Sequence, residues 1–223
     1  MRTQNVLLMI LAIVGLFSLP AISSAQSYAE HSPGHKLHVE AIRAFEAGQY
    51  RLALDGFRSS ARWADKLSQF NVGIIYYNGH GVDADPARAW AWFELSAERR
   101  YPKMGEMADR VAGELNPAQR AEARRILEEE LLPVYGDEVA VRRTARRMDR
   151  ERRNVAGSRT GSVGAVTVIT ASGDSVHGSR FFDAKAWDFK QIVQAEMELF
   201  DALGTGRVEL RDVEAEPEED QQD

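Results

Sequence analysis

The chain contains no cysteine. This absence excludes disulfide bonds, a lipid-modified cysteine anchor, cysteine ligands for zinc and a cysteine nucleophile. The sequence also lacks the Gly-x-Ser-x-Gly, Ser-x-x-Lys and His-Glu-x-x-His patterns that mark several hydrolases and metalloproteases. We therefore predict a protein that is not an enzyme and that has no catalytic, cofactor-binding or metal-binding residues.

Long apolar runs are absent except near the N-terminus, where residues 6–17 form one. Arg2 precedes this run, Pro20 breaks it, and Ser23-Ser24-Ala25 provides small residues suited to signal-peptide cleavage. A run of this length is short for a transmembrane helix, which needs about 20 apolar residues. The pattern predicts a signal peptide at residues 1–25 and a periplasmic or secreted protein. The alternative is an uncleaved membrane anchor.

Positive charge is not in excess, since 28 Lys and Arg face 34 Asp and Glu. Removal of residues 1–25 takes away Arg2 and no acid, which changes the net charge from −6 to −7. Nucleic-acid-binding domains usually carry a strong net positive charge. We therefore expect no nucleic acid partner.

A helical hairpin is predicted between residues 68 and 97. Asn78-Gly79 ends the first helix, because glycine readily adopts the left-handed conformation found there. Asp85 followed by Pro86 begins the second helix, as an N-cap and a proline at the first helical position. The small side chain of Ala89 and the absence of one at Gly73 would let the two helices approach closely.

This hairpin resembles the Sel1-like repeat family. The resemblance rests on a set of residues in order along the chain: Gly73, Tyr76, Gly79, His80, Gly81, Val82, Asp85, Ala89, Trp92, Ser96 and Ala97. The pattern is lost soon afterwards, because Arg100 stands where the family usually has Gly and Met104 where it has Ala. The resemblance implies an α-solenoid that mediates protein–protein interactions.

A second hairpin, over residues 37–62, is similar to the tetratricopeptide pattern. Ala41, Gly48, Tyr50, Ala53 and Phe57 carry this weaker similarity. Tyr101-Pro102 begins a further helix, and Asn116, Pro117 and Gln119 form a capping box for another. We predict a Sel1/tetratricopeptide-like repeat domain over residues 37–135, in which these later helices cover the open end of the solenoid.

Candidate partner-binding residues follow from the two resemblances, which imply that the first helix of each pair lines a concave groove. The polar residues transferred to that groove are His38, Glu46, Tyr77 and Asn78. Their side chains could form hydrogen bonds with a protein or peptide partner in the envelope.

Residues 26–36 contain Ser, Pro, Gly and His and are predicted to be a flexible lead-in. His31, His35 and His38 are candidate metal ligands, but no carboxylate is clearly placed to complete a site. We therefore favour a polar N-terminal edge over a metal centre.

Residues 136–162 are predicted to form an arginine-rich helix and a linker. Residues 141–159 contain eight arginines against two acidic residues, a net charge of +6. This helix could be a solvated connector or could contact an anionic surface, such as an acidic protein or envelope lipid headgroups. Residues 214–223 are predicted to be an acidic disordered tail. Residues 212–223 hold seven acids and no base, so this end of the chain could also pair with the arginines.

Residues 163–213 are predicted to form a small α+β unit, since β-branched residues 166–170 are followed by a helical pattern from Asp183 to Leu203. The predicted fold is therefore mainly α: a short α-α superhelix followed by this unit. The predicted function is an exported scaffold for protein–protein interactions in the bacterial cell envelope. The alternative is a cell-wall-associated enzyme or ligand-binding protein with its site in the α+β unit, near His177 and Asp183.

Overall fold

The computed structural model describes residues 33–156, 167–169 and 175–181, together with Phe189, Val193, Gln194 and Glu196. The predicted signal peptide, most of the lead-in and the acidic tail lie outside the described residues. The described part is mainly helical, as the sequence predicted.

Helical hairpins follow one another along the chain. The α-helices are α1 (Pro33–Glu46), α2 (Tyr50–Ala61), α3 (Lys66–Asn78), α4 (Pro86–Ser96), α5 (Pro102–Glu114), α6 (Pro117–Arg125), α7 (Leu132–Tyr135), α8 (Asp137–Ala156) and α9 (Gly178–Phe181). A 3₁₀ turn, Ala97–Arg99, follows α4, and a π-helical segment, Ile126–Leu131, joins α6 to α7. Strands β1 (Thr167–Ile169) and β2 (Ser175–His177) pair antiparallel.

Helix α1 begins at Pro33, four residues before the predicted start at residue 37, so the end of the predicted flexible lead-in is helical. Proline suits the first helical turn because it needs no hydrogen-bond acceptor there. Gly34 lies against α2, where a Cβ atom would be 3.0 Å from the Ser60 carbonyl oxygen. The Ser60 hydroxyl donates to the Gly34 carbonyl at 2.9 Å. This close contact with α2 holds the first turn of α1 in place.

The α3–α4 hairpin confirms the helix boundary signals of the sequence. Gly79 ends α3 with φ +72°, and the Asp85 carboxylate accepts a hydrogen bond from the Arg88 backbone at 2.9 Å as the N-cap of α4. Asp65 caps α3 in the same way through the Ser68 backbone at 2.8 Å. The N-cap carboxylates and the left-handed glycine therefore fix where the two helices of this hairpin begin and end.

Close approach of α3 and α4 depends on Gly73. A Cβ atom at this position would lie 2.6 Å from the Phe93 ring. Ala89 on α4 is fully buried, in agreement with the predicted small-residue contact. No larger residue fits at Gly73 without moving the Phe93 ring.

Helices α5 and α6 and the π-helical segment pack against α4, and Tyr135 of α7 contacts Trp92. Asn116 and Gln119 form the predicted capping box at the start of α6. The helix then widens into the π-helical segment before Pro133, which lies at the start of α7. Proline cannot donate a backbone hydrogen bond and crowds the preceding turn, so a widened turn accommodates it.

Most of the apolar core in the described residues forms two clusters that meet at α4, and a smaller cluster contains Ala64, Ala140 and Phe189. Phe57 and Trp92 lie in one cluster, each 2% exposed, and Phe93 and Val111 lie in the other, both fully buried. Helix α4 supplies Trp92 to one cluster and Phe93 to the next, because adjacent residues of a helix point in different directions. It is therefore packed on both sides.

Arg100 follows the 3₁₀ turn with φ +60° and ψ +33°, the left-handed conformation that favours glycine. This conformation costs an L-residue about 1–2 kcal/mol in steric strain, whereas ordering a glycine on folding costs about 0.5–1 kcal/mol in additional backbone entropy. We expect Arg100→Gly to stabilise the protein by about 0.5–1 kcal/mol, measured by urea denaturation. The matched control is Arg110→Gly in the exposed interior of α5, which should destabilise by about 1 kcal/mol. A loss of stability in Arg100→Gly would contradict the assigned backbone conformation.

The predicted α+β unit over residues 163–213 is not supported as a folded unit. Its described part consists of the β1–β2 hairpin, in which Val168 pairs with Val176, the single turn of α9 and four further residues. Phe189, Val193, Gln194 and Glu196 are helical, within the range predicted for a helix from Asp183 to Leu203. The rest of the unit lies outside the described residues.

Candidate interaction surfaces

His38 is buried between α1 and α3 and does not lie in an open groove. Its side chain is 7% exposed, and its Nδ1 atom lies 2.8 Å from the Ser68 hydroxyl and 3.5 Å from the Asp65 carboxylate. The ring also packs against Phe57, with centroids 5.8 Å apart. The transferred tetratricopeptide pattern placed His38 in the groove. The structure corrects this prediction, because the N-terminal cap of α3 encloses the imidazole. His38 therefore joins the two hairpins, and its ring is not available to a partner.

Tyr77 lies at the edge between α3 and α5. Its hydroxyl bonds to the exposed Glu114 carboxylate at 2.8 Å, and its ring approaches Phe93 edge-on at 6.5 Å. Partial burial and this carboxylate raise the pKa of Tyr77 above its usual value. The phenol is thus a neutral donor at neutral pH, and it lies at a half-exposed position.

Asn78 and His80 bring unpaired polar atoms to the tip of the α3–α4 hairpin. Within the described chain, the Asn78 side-chain amide atoms and His80 Nε2 are buried and have no hydrogen-bond partner. The His80 ring is stacked on Tyr50 at 4.8 Å, and burial lowers its pKa. A buried polar group without a partner costs about 1–3 kcal/mol, so these atoms make the hairpin tip less stable than a fully hydrogen-bonded loop would be.

Glu46 is exposed near the C-terminal end of α1. It precedes the loop containing Gly48, whereas Tyr77 and Asn78 end α3 before the loop containing Gly79. Three of the four predicted groove residues therefore lie near the C-terminal ends of the first helices in their hairpins. They differ in exposure, since Glu46 is open to solvent and the other two are half-buried.

An ionic network, formed by Lys66, Glu98, Arg99, Asp137 and Glu196, lies at the opposite end of α3. The Lys66 ammonium is fully buried, 2.7 Å from the Glu98 carboxylate and 3.0 Å from that of Asp137. It also donates to the side-chain oxygen of Gln69 at 3.1 Å and the carbonyl of Leu95 at 3.2 Å. Burial lowers the pKa of Lys66, while the two carboxylates oppose that effect.

Arg99 links this network to α8 and to Glu196. Its guanidinium makes a bidentate contact with Asp137 at 2.8 and 2.9 Å and also donates to Glu196. Burial raises the pKa of Asp137, but the bond from Arg99 and the charge of Lys66 outweigh it and lower the pKa. Glu196 is 2% exposed and also accepts from the Tyr101 hydroxyl at 2.9 Å. Charged groups from distant parts of the chain therefore meet at the end of the hairpin.

Sequence reasoning missed this network, although one local signal was present. Lys66, Gln69 and Gly73 lie at positions i, i+3 and i+7 and share one face of α3. Since Gly73 was expected to face α4, the same spacing indicates that Lys66 and Gln69 are buried. The acidic partners of Lys66 could not be found in this way, because they lie 32 and 71 positions away.

A cationic pocket of about 510 Å³ lies between α8 and the turn after α2. Trp63 forms part of its wall, and six arginines line it: Arg62, Arg142, Arg143, Arg146, Arg147 and Arg150. The Arg147 guanidinium lies 5.3 Å from the centre of the Trp63 ring. The predicted arginine-rich helix therefore presents its charge in a concave site and not only along a solvated face.

The remaining candidates from the sequence are metal ligands, the residues His177 and Asp183, and membrane-spanning helices. No cluster of three or more His, Asp or Glu in this part of the chain is arranged to hold a metal ion, and His31 lies outside it. His177 is exposed on β2, and Asp183 lies outside the described residues. No helix of the described ranges has the length and apolar character needed to cross a membrane.

Comparison with known proteins assigns the central hairpin. Residues 66–101 match the Sel1 repeat family, and a single repeat is detected. Sel1 repeats generally mediate protein–protein interactions and are typically non-catalytic scaffolds. No curated protein and no solved structure matches the chain significantly.

Proposed function

We propose that this protein, which contains one Sel1 repeat, is an exported scaffold that binds a protein partner in the bacterial cell envelope. The repeat match is the observation that carries the proposal, because Sel1 repeats generally bind proteins. The apolar run and the small residues before residue 26 support the export part of the proposal.

The proposed contact surface comprises Glu46, Tyr77 and Asn78. Glu46 offers an exposed carboxylate, and Tyr77 offers a half-buried aromatic ring with a polar end. Tyrosine is common among residues that contribute most to protein–protein binding energy. Asn78 lies beside Tyr77 at the end of α3, and because its amide atoms are buried, a partner would contact the exposed part of the residue.

We expect the Glu46→Ala/Tyr77→Ala variant to bind the envelope partner more weakly by about 1–2 kcal/mol or more. The partner is first isolated from envelope extracts with the wild-type protein, and its affinity for each variant is then measured by titration calorimetry. Circular dichroism should show unchanged helix content, since both residues are at least partly exposed.

Glu114→Ala is the matched control for this variant. It breaks the intramolecular bond to the Tyr77 hydroxyl but leaves the Tyr77 ring in place. Wild-type affinity in Glu114→Ala with weakened binding in the double variant would support the surface. Wild-type affinity in both would place the contact elsewhere on the protein.

Export has its own test. We expect mass spectrometry of the protein from the envelope fraction to show a chain that begins near Gln26. Recovery of a chain with an intact N-terminus at Met1 in the inner membrane would contradict cleavage and favour the membrane-anchor alternative.

A second contact, with an anionic surface, is favoured by the cationic pocket beside α8. Six arginines converge on it, and its wall includes Trp63. Its binding should weaken with added salt, because exposed charges are screened within about 8 Å at physiological ionic strength. The alternative function is that of an enzyme or ligand-binding protein with its site in the C-terminal unit. Within the described residues, only the exposed His177 supports this alternative.

A further inference from the structure

Four arginines of the cationic pocket form one face of α8. Arg143, Arg146, Arg147 and Arg150 follow the spacing i, i+3, i+4 and i+7. Seven residues of an α-helix span about 10 Å, so these guanidinium groups are distributed over about two helical turns. The pocket is therefore longer than one phosphate or carboxylate group.

Several of these side chains are already held in position. The Arg143 guanidinium donates to the Arg62 carbonyl and to the Val134 carbonyl, the latter at 3.1 Å. Burial and the nearby Arg62 lower the pKa of Arg143. Arg147 lies over Trp63 as described above. Ordering in the free protein reduces the entropy lost when a ligand binds.

The charge of the pocket is poorly compensated within the described residues. Of the side chains that line it, Glu151 is the acidic one, and it lies 3.7 Å from the Arg147 guanidinium. Arg142 pairs with Glu138 on the same helix, and both side chains are largely exposed. Six arginines and one glutamate give the lining a net charge of +5. An anionic ligand would relieve the repulsion among these cations.

Clustered phosphates match this site better than an acidic peptide does. An extended peptide rises about 3.3 Å per residue and points alternate side chains to opposite sides, so about 10 Å of peptide presents only one or two carboxylates. Each phosphate brings one or two charges and several acceptor oxygens in a smaller volume. The planar guanidinium forms paired hydrogen bonds with phosphate oxygens.

We propose that the cationic pocket binds a compact ligand with two or more phosphate groups, carried by a lipid headgroup or by a soluble polyphosphate. This inference rests on the anionic contact proposed above and specifies its ligand. It is independent of the Glu46 and Tyr77 surface. Residues 212–223, with their seven acids, represent the competing acidic-peptide class.

Titration calorimetry of the full chain with tripolyphosphate and orthophosphate tests the soluble form of the ligand. Tripolyphosphate should bind at least about tenfold more tightly than orthophosphate, since several arginines contact it at once. Arg146→Gln/Arg150→Gln should weaken that binding about tenfold or more. Both arginines are exposed, so the variant should fold normally.

Arg120→Gln/Arg124→Gln is the matched control. These exposed arginines of α6 line a smaller cavity of about 320 Å³ beside Trp90, and their loss removes the same net charge. The control should bind tripolyphosphate with wild-type affinity. Equal weakening in both variants would show a general charge effect and overturn the assignment of the pocket.

Vesicles distinguish the two sources of phosphate. Binding to phosphatidylcholine vesicles that contain cardiolipin, which has two phosphates in one headgroup, together with competition by tripolyphosphate, would assign a lipid ligand. Binding of tripolyphosphate alone would assign a soluble ligand. A synthetic peptide of residues 212–223 that binds the full-length protein more tightly than tripolyphosphate does would overturn the inference in favour of an acidic peptide. If no anion binds, the anionic contact itself is wrong, whereas the protein-binding surface is unaffected.

Discussion

Replacement of Lys66 by methionine is expected to lower the free energy of unfolding by about 3 kcal/mol. The ammonium group is fully buried and contacts both Glu98 and Asp137 within 3.0 Å. Methionine keeps most of the apolar stem but leaves these carboxylates without their shared cation. Removal of one partner from a buried ion pair costs about 3–5 kcal/mol, and the lower end applies because both carboxylates are partly exposed.

Lys36→Met provides the control for this substitution. Lys36 is 65% exposed and lies 3.8 Å from Glu40 in an ordinary i, i+4 surface pair, which is worth about 0.3–0.5 kcal/mol. Urea denaturation should therefore separate the two variants clearly. A second variant, Lys66→Met/Glu98→Gln, should recover part of the lost stability, because one uncompensated carboxylate becomes neutral. Equal, small effects at Lys36 and Lys66 would contradict the burial of the ammonium group.

Replacement of Trp92 by alanine is expected to lower the free energy of unfolding by about 3–5 kcal/mol, the usual cost of removing a large buried aromatic side chain. Trp92 is 2% exposed and meets the ring of Tyr135 edge-on at 4.7 Å. Its loss would leave a cavity between α4 and α7, where the hairpin packs against the helices that cover it. Thermal unfolding followed by circular dichroism measures the effect.

Trp63→Ala is the comparison for Trp92→Ala. Trp63 is half-buried at the edge of the cationic pocket and contacts Arg147 through its ring. A cation–π contact at such a site is worth about 0.5–1 kcal/mol, so the melting temperature should fall much less. Equal, small shifts in the two variants would show that the assigned packing of the α3–α4 hairpin, the Sel1 hairpin, is wrong.

The Sel1 hairpin is the part of the fold that the sequence predicted best. Its boundaries depend on local chemistry: Gly79 adopts a left-handed conformation, and Asp85 caps the helix that follows. Gly73 and Ala89 reveal the contact face because only small residues permit close helices. These signals act over a few residues and can be recognised without knowledge of the rest of the chain.

The candidate surfaces were predicted less completely. His38 was assigned to a groove by its position in a repeat pattern, but Asp65 and Ser68 enclose it in the structure. The charge of the arginine-rich helix was evident from its composition. Its concave arrangement depends on Arg62 and Trp63, which precede α8 by more than 70 residues. No periodicity within α8 could indicate that contact.

The sequence by itself therefore determined the mainly helical class, the ends of the central helices, the small-residue contact and the family of the repeat. The tertiary structure decided which polar residues are buried, which are paired and which share a pocket. Helix caps and turns depend on neighbouring residues, so the local sequence specifies them. The partners of Lys66 and the enclosure of the cationic pocket depend on segments brought together by packing, and only the folded chain specifies those distances.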